Sequence, residues 1–310
     1  MIGEEHRILV TGAAGQVGAV GRTVTELLLK AGQPVRALVR QDDDRAAYLR
    51  NLGAEVVVAD LTKTEEVVSA LEGCRLVFFS MSASSQFLEA TAVMAAAARA
   101  KGDIELLVNL SQMTVSELTL TNVTKSPQHR VQWLGEQILN WSGVPVTHLR
   151  PTAFQENPLF WGAAAASIQK LGSIRLPFRQ SLISPVAAND VAEVAAKVLL
   201  QPGQYAGRAL ELTGPRAATM EDLAKEYSAA LGRPVKYEDI PLGIWAEELL
   251  SKAGLDPHTY HHILTMAELH GAGRYNRSTQ TIQEILGRPA ASISETITSR
   301  RDSFPLPQTA

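Results

Sequence analysis

Several absences narrow the chemistry of this chain before any motif is read. A single cysteine, Cys74, stands among 310 residues. No internal disulfide framework can form, and that usage fits a reducing compartment. Cys74 reads as a small buried packing residue, with a nucleophilic thiol as the alternative. An excess of one charge is lacking too, since 29 Lys and Arg stand against 32 Asp and Glu. That balance leaves no electrostatic footprint for nucleic acid or an anionic membrane surface. Apolar stretches such as Leu27–Leu29 and Ala163–Ala166 fall far short of a membrane span. Residues Met1–His6 lack the charged and apolar regions of a signal peptide. A cytoplasmic protein is expected, with no nucleic-acid partner and no membrane partner.

What is present begins at Arg7. The run Ile8-Leu9-Val10 reads as a buried strand and leads directly into Gly12-x-x-Gly15-x-x-Gly18. An amphipathic helix follows, from about Gln16 to Ala31, with Gly32 as its stop. Strand, glycine turn and helix in that order offer backbone N–H groups and a positive helix end to a pyrophosphate. Gly12 would permit the tight turn, Gly15 the close approach of a phosphate, and Gly18 close packing of helix on strand. A glycine triplet alone is weak; the flanking strand and helix supply the context that the motif needs.

The first half alternates strand and helix, the pattern of a doubly wound parallel α/β sheet covered on both faces. Strands are expected at Arg7–Thr11, Val35–Val39, Glu55–Ala59, Arg75–Ser80, Glu105–Leu110 and Val144–Leu149. Helices are expected at Thr64–Leu71, capped by Thr62 or Thr64, at Phe87–Ala100 and at Gln132–Trp141. Beyond Arg150-Pro151 the regularity breaks, yet two later stretches still read as core. Ser184–Leu200 is a turn and a helix opened by Asn189 or Asp190, and Arg208–Thr213 is a short strand. The expected organisation is a dinucleotide domain over 1–153 and 184–213, with a smaller, mainly helical lobe over 154–183 and 214–290. Residues 291–310 would form a C-terminal helix and tail.

In such sheets the ligand lies at the carboxyl ends of the strands. The turn residues Thr11, Gly12, Ala14, Gly15, Gln16, Val17 and Gly18 are therefore candidate cofactor contacts. The second strand ends at Arg40, with Arg36 earlier on it. An acid at that end would bind the ribose 2′-hydroxyl of NAD, whereas an arginine accommodates the 2′-phosphate of NADP. Asp42–Asp44 read as a loop beyond the strand, so NADP(H) is favoured over NAD(H). The alternative makes Arg40 a surface charge and sends the aspartates to the ribose. Asp60, followed by Leu61, would accept from the adenine amino group or cap the next turn. Ser80, Met81 and Ser82 after the fourth strand, and Asn109 on the fifth, would line the nicotinamide half.

These residues resemble a known family. Thr11–Gly18 is similar to the Thr-Gly-x-x-Gly-x-x-Gly of atypical and extended short-chain dehydrogenases. Trp133-Leu-Gly-Glu136, Trp141-Ser-Gly-Val-Pro145, His148-Leu-Arg-Pro-Thr152 and Glu156-Asn157 resemble the NmrA-like branch. So do Pro185–Ala192 and Leu212-Thr-Gly-Pro215. The resemblance spans about residues 7–290. It implies a Rossmann domain, NADP(H) held by Gly12–Gly18 and Arg40, and a substrate or regulatory cleft toward the second lobe.

One departure stands out. The wider superfamily moves its proton with Tyr-x-x-x-Lys, in which the lysine lowers the tyrosine pKa. No tyrosine here has a lysine four residues later. Relatives resembling isoflavone reductases place a lone lysine where this chain has Gln128, and the nearest lysine is Lys125. Glutamine is neither acid nor base at useful pH. His129 and Ser111 remain as candidate catalytic residues, the first titrating near neutrality, the second just past the fifth strand. The alternatives are a surface histidine and a plain turn serine. His258, His261, His262 and His270 lack a clear ligand set, so no metal is expected. Phe160-Trp161 and Trp245 read as core or cleft lining. Two functions follow. One is an NADPH-dependent reductase of a small, flat acceptor such as a quinone, whose reduced anion solvent can protonate. The other is a non-catalytic NADP(H) sensor with a regulatory protein partner.

Overall fold

The computed structural model describes residues 7–15, 18–157 and 163–300. In chain order its strands are β1 (Arg7–Val10), β2 (Val35–Val39), β3 (Glu55–Val58), β4 (Cys74–Phe79) and β5 (Leu106–Leu110). They continue with β6 (Val146–Pro151), β7 (Ser173–Leu176), β8 (Ala209–Leu212) and β9 (Lys236–Asp239). Seven of them form one sheet in the order β3-β2-β1-β4-β5-β6-β8, while β7 and β9 pair separately. Every pairing is parallel. The chain reverses its lateral direction at β1, so a crevice opens beyond the carboxyl ends of β1 and β4.

The first helices are α1 (Val20–Lys30), α2 (Asp44–Asn51), α3 (Thr64–Leu71), α4 (Phe87–Lys101) and α5 (Pro127–Trp141). After them come α6 (Ala163–Leu171), α7 (Ala188–Leu200), the single turn α8 (Pro202–Tyr205) and α9 (Met220–Leu231). The last are α10 (Leu242–Glu248), α11 (Pro257–Gly271), α12 (Thr281–Leu286) and α13 (Ile293–Ser299). None of the described helices is long and apolar enough to cross a membrane.

The strands read as continuous apolar runs because both faces of the sheet are covered. Ile8, Val10 and Phe78 join a core with α1, α2, α7 and α12 on one face. Leu9, Val77 and Phe79 point the other way, into α3, α4 and α5. A third core lies apart from the large sheet, centred on the fully buried Trp245 and walled by β7, α9, α11 and α13. The Tyr275 hydroxyl shares a hydrogen bond with Thr114 at 3.1 Å. Arg277 spans Glu117 at 2.5 Å and Glu211 at 2.9 Å. These contacts fasten the end of α11 to the sheet.

Several local expectations shift. Asp42 and Asp43 lie in the expected loop, but Asp44 already opens α2, and Asp43 caps that helix by accepting from Arg45 N at 3.0 Å. Helix α5 begins at Pro127, with Ser126 as its cap, five residues before the expected start. Helix α3 begins after Lys63 with no side-chain cap, so neither Thr62 nor Thr64 serves. Helix α7 is capped by neither Asn189 nor Asp190; the carboxylate of distant Glu156 accepts from Ala188 N at 2.9 Å. Asp190 is instead buried against Arg288 at 2.8 Å. Arg36 faces away from the crevice, donating to Ala70 O at 2.9 Å and pairing with Glu55 at 3.0 Å. The Cys74 thiol is buried beside it, and burial pushes its pKa up.

Candidate active site

The glycine turn is built by close approach. Gly12 has φ +66°, and a Cβ there would meet Ser80 O at 2.8 Å. Thr11 ties the same two strand ends together: its Oγ1 donates to Ser80 O and accepts from Ser80 N, both at 2.8 Å. Gly18 has φ +63°, and a Cβ would lie 2.7 Å from that of Ala188. Its missing side chain therefore serves the contact with α7, not packing of helix on strand. The close helix contact belongs to Gly21, whose Cβ would fall 2.6 Å from Gly12 O. Gln16 and Val17 lie outside the described residues, and α1 itself starts at Val20.

Two cavities meet over this turn and share Gly12, Gly15, Ser80, Met81 and Ser82. The first, about 690 Å³, runs from Ala14 across the ends of β2 and β3 to Asp60 and Leu61. Arg40 stands exposed on its rim. Arg45 joins it there, donating to Ala14 O at 3.1 Å. The acids nearby are engaged: Asp43 pairs with Arg45 at 2.5 Å and Asp42 with Arg50 at 2.7 Å. Asp60 caps its own turn, accepting from Thr62 N at 2.9 Å and Thr62 Oγ1 at 2.8 Å. Those bonds hold its carboxyl below the usual range, so it lines the cavity as an anion.

The second cavity, about 470 Å³, lies between the ends of β5 and β6 and helix α11. Ser111 lines it; the residue is 5% exposed and its Oγ has no hydrogen-bond partner. Gln112 donates to Gln132 across the same wall. Gln128 is fixed from two sides. Its Oε1 accepts from Ser84 N at 3.1 Å, and His258 Nε2 lies 2.8 Å from the same oxygen. A backbone N–H only donates, so the oxygen faces Ser84 and His258 must carry its proton on Nε2.

His129 is not brought to this cavity. It is fully buried, its Nδ1 is 2.8 Å from Thr124 Oγ1, and its ring packs edge-on against His262. Burial drives its pKa well below the usual value, leaving a neutral ring with no path to a bound acceptor. Asn109 is likewise turned aside, donating to His148 Nδ1 at 3.0 Å. Lys125 is exposed and pairs with Glu268 at 2.9 Å. His262 does reach the wall, with Nδ1 3.0 Å from Ser126 Oγ, and burial pushes it down to about 4. His270 stacks between Phe178 and Tyr275. Among the described residues no group of three or more metal-ligating side chains comes together. Phe160 and Trp161 lie outside the described residues.

Gly21, Arg45 and the wall residues Ile263 and Met266 carry no expectation from sequence. Gly21 was open to recognition as a small residue at the second position of α1. Nothing local marks the other three, which reach the crevice only through tertiary packing.

The sequence profile of the NmrA-like family matches residues 4–304. A (4-alkanoyl-5-oxo-2,5-dihydrofuran-3-yl)methyl phosphate reductase of Streptomyces griseus is 33% identical over 96% of this chain and 99% of that protein. An NAD(P)H azoreductase of Xenophilus azovorans is 29% identical over 93% of this chain and 96% of its own length. Among solved structures, an NADPH-dependent quinone oxidoreductase of Escherichia coli in complex with NADPH superposes with a TM-score of 0.80. That pair is 25% identical and covers 95% of this chain and 99% of the other.

Proposed function

The chain belongs to the NmrA-like family, and from that premise we propose that it is an NADPH-dependent reductase of a small, flat organic acceptor of the quinone type. One observation carries the reading. A cradle that only glycine can form, at Gly12, opens on one side to an arginine-rimmed groove and on the other to a largely apolar cavity. The first fits a dinucleotide and the second an acceptor. The two full-length relatives named above are reductases, which favours turnover over cofactor sensing.

Gly12, Ala14 and Gly15 would hold the pyrophosphate before the first turn of α1, where backbone N–H groups and the helix dipole favour an anion. Arg40 would take the 2′-phosphate, beside an Arg45 already held by Asp43 and Ala14 O. NADP(H) is preferred on this reading because Asp42 and Asp43, the rivals for a 2′-hydroxyl, are already paired with arginines. The dinucleotide, when bound, supplies hydride. Ser111, whose hydroxyl is otherwise unpartnered, donates to the acceptor oxygen and orients it. Gln128 occupies the place of a catalytic lysine but moves no proton; it holds the loop after β4 against α11. The proton then comes from solvent, which suffices for an acceptor whose reduced anion is stabilised. Regions 154–183 and 214–290 would supply the acceptor side.

Purified protein with NADPH and a panel of quinones should consume the nicotinamide absorbance at 340 nm above background. Tight NADPH binding with no turnover on any acceptor would sink the reductase reading.

A further inference from the structure

The acceptor cavity has an unusual wall chemistry. Among its described lining residues there is no Lys, Arg, Asp or Glu. Two titratable side chains do line it, and both are held neutral. Burial pushes His262 down to about 4 and pushes the Tyr275 hydroxyl up to about 12. The cations close by are committed elsewhere: Lys125 to Glu268, Arg277 to Glu117 and Glu211. The adjoining groove carries an acid on the α11 side. Asp256 caps α11, and its bonds to Thr259 hold its carboxyl below the usual range.

We propose that this cavity selects uncharged acceptors and rejects anionic ones, so that the chain differs in substrate class from its Streptomyces relative, whose substrate name carries a phosphate. An anion entering here would lose its hydration without meeting a counter-charge, and that cost is not recovered. A neutral quinone loses little. Its carbonyl oxygens find the Ser111 hydroxyl and the carboxamides of Gln112 and Gln132, and its ring lies against Leu255, Ile263 and Met266. The electron count agrees with a neutral site. A quinone takes up one hydride, oxidising the reduced nicotinamide, and one solvent proton to give the hydroquinone. Hydride transfer leaves the acceptor anionic only until the solvent proton arrives, offset by the positive charge left on the oxidised nicotinamide. Acceptor and final product are uncharged, and no wall residue changes its charge. This inference deepens the reductase reading and rests on it for the identity of the acceptor.

The experiment compares 2-methyl-1,4-naphthoquinone with 1,4-naphthoquinone-2-sulfonate. The sulfonate withdraws electrons and is the better hydride acceptor in solution, so slower reduction cannot reflect weak driving force. Its kcat/KM is expected to be at least tenfold lower. The same order should appear in dissociation constants, measured calorimetrically on protein loaded with the non-transferring tetrahydro-NADP. Gln132→Lys, which sets an ammonium on the half-exposed part of the wall, should narrow both ratios at least threefold. Equal or inverted preference in the wild-type chain overturns the proposal. So does a ratio that Gln132→Lys leaves unmoved, because discrimination would then be steric. If neither quinone is reduced but the binding preference holds, the reductase reading falls and the selection of uncharged ligands stands.

Discussion

Arg40 is exposed on the rim of the groove, and Asp42 and Asp43 beside it are held by other arginines. On the proposed reading, a guanidinium there would discriminate between dinucleotides through charge-assisted hydrogen bonds, worth about 1.5–3 kcal/mol. Arg40→Ala should therefore raise the dissociation constant for NADPH by roughly tenfold or more and leave NADH nearly unaffected, as read by fluorescence titration. Equal losses would remove Arg40 from the 2′-phosphate. Buried histidines set a second expectation. His262 and His270 are pushed down to about 4 by burial, against an ordinary value near 6.5. Between those values the unfolded chain binds protons that the folded chain refuses, so stability falls as pH falls through the window. Each histidine contributes up to about 1.4 kcal/mol per pH unit. His262→Gln should flatten the dependence of urea-unfolding free energy on pH by about that slope between pH 6 and 4.5.

Helix α5 carries Gln128 and Gln132 to the cavity wall, and its first turn is held by Ser126. That hydroxyl accepts from His129 N at 3.2 Å and lies 3.0 Å from His262 Nδ1. Ser126→Ala should cost about 1–2 kcal/mol, seen as a lower urea midpoint with an unchanged m-value. Elements of this kind divide into those that local sequence announces and those that it does not. The strands of the large sheet were legible because apolar runs between glycine and polar stops have few other readings. The start of α5 was also legible in principle, since Ser126-Pro127 is a cap followed by a first-turn proline. Helix α7 was legible to within two residues of its start, but its cap was not, because that is Glu156, 32 residues away. For the same reason the glycine turn and Arg40 pointed to the groove, whereas α11 as a wall of the acceptor cavity had no local mark. His129, whose alternative reading was a surface position before a helix, is buried by tertiary packing that includes His262, which nothing local marks.

At the scale of the whole molecule, the crevice lies between the large sheet and the third core. The large sheet supplies Gly12, Ser80 and Ser111, and α11, from the third core, supplies Ile263 and Met266. A dinucleotide seated there binds only the assembled chain. At a hundredfold excess over its dissociation constant, NADPH should stabilise the fold by about 2.7 kcal/mol and raise Tm by roughly 5 °C. NADH at the same concentration should do less, and differential scanning fluorimetry would show the difference. The lone cysteine bears on the life of the protein in use. Quinones arylate thiolates, and an enzyme handling them risks being consumed by its own substrate. Cys74 is fully buried, and burial keeps its thiol protonated. With no second cysteine anywhere in the chain, the folded protein offers such electrophiles no exposed thiolate. Repeated turnover should leave its mass unchanged.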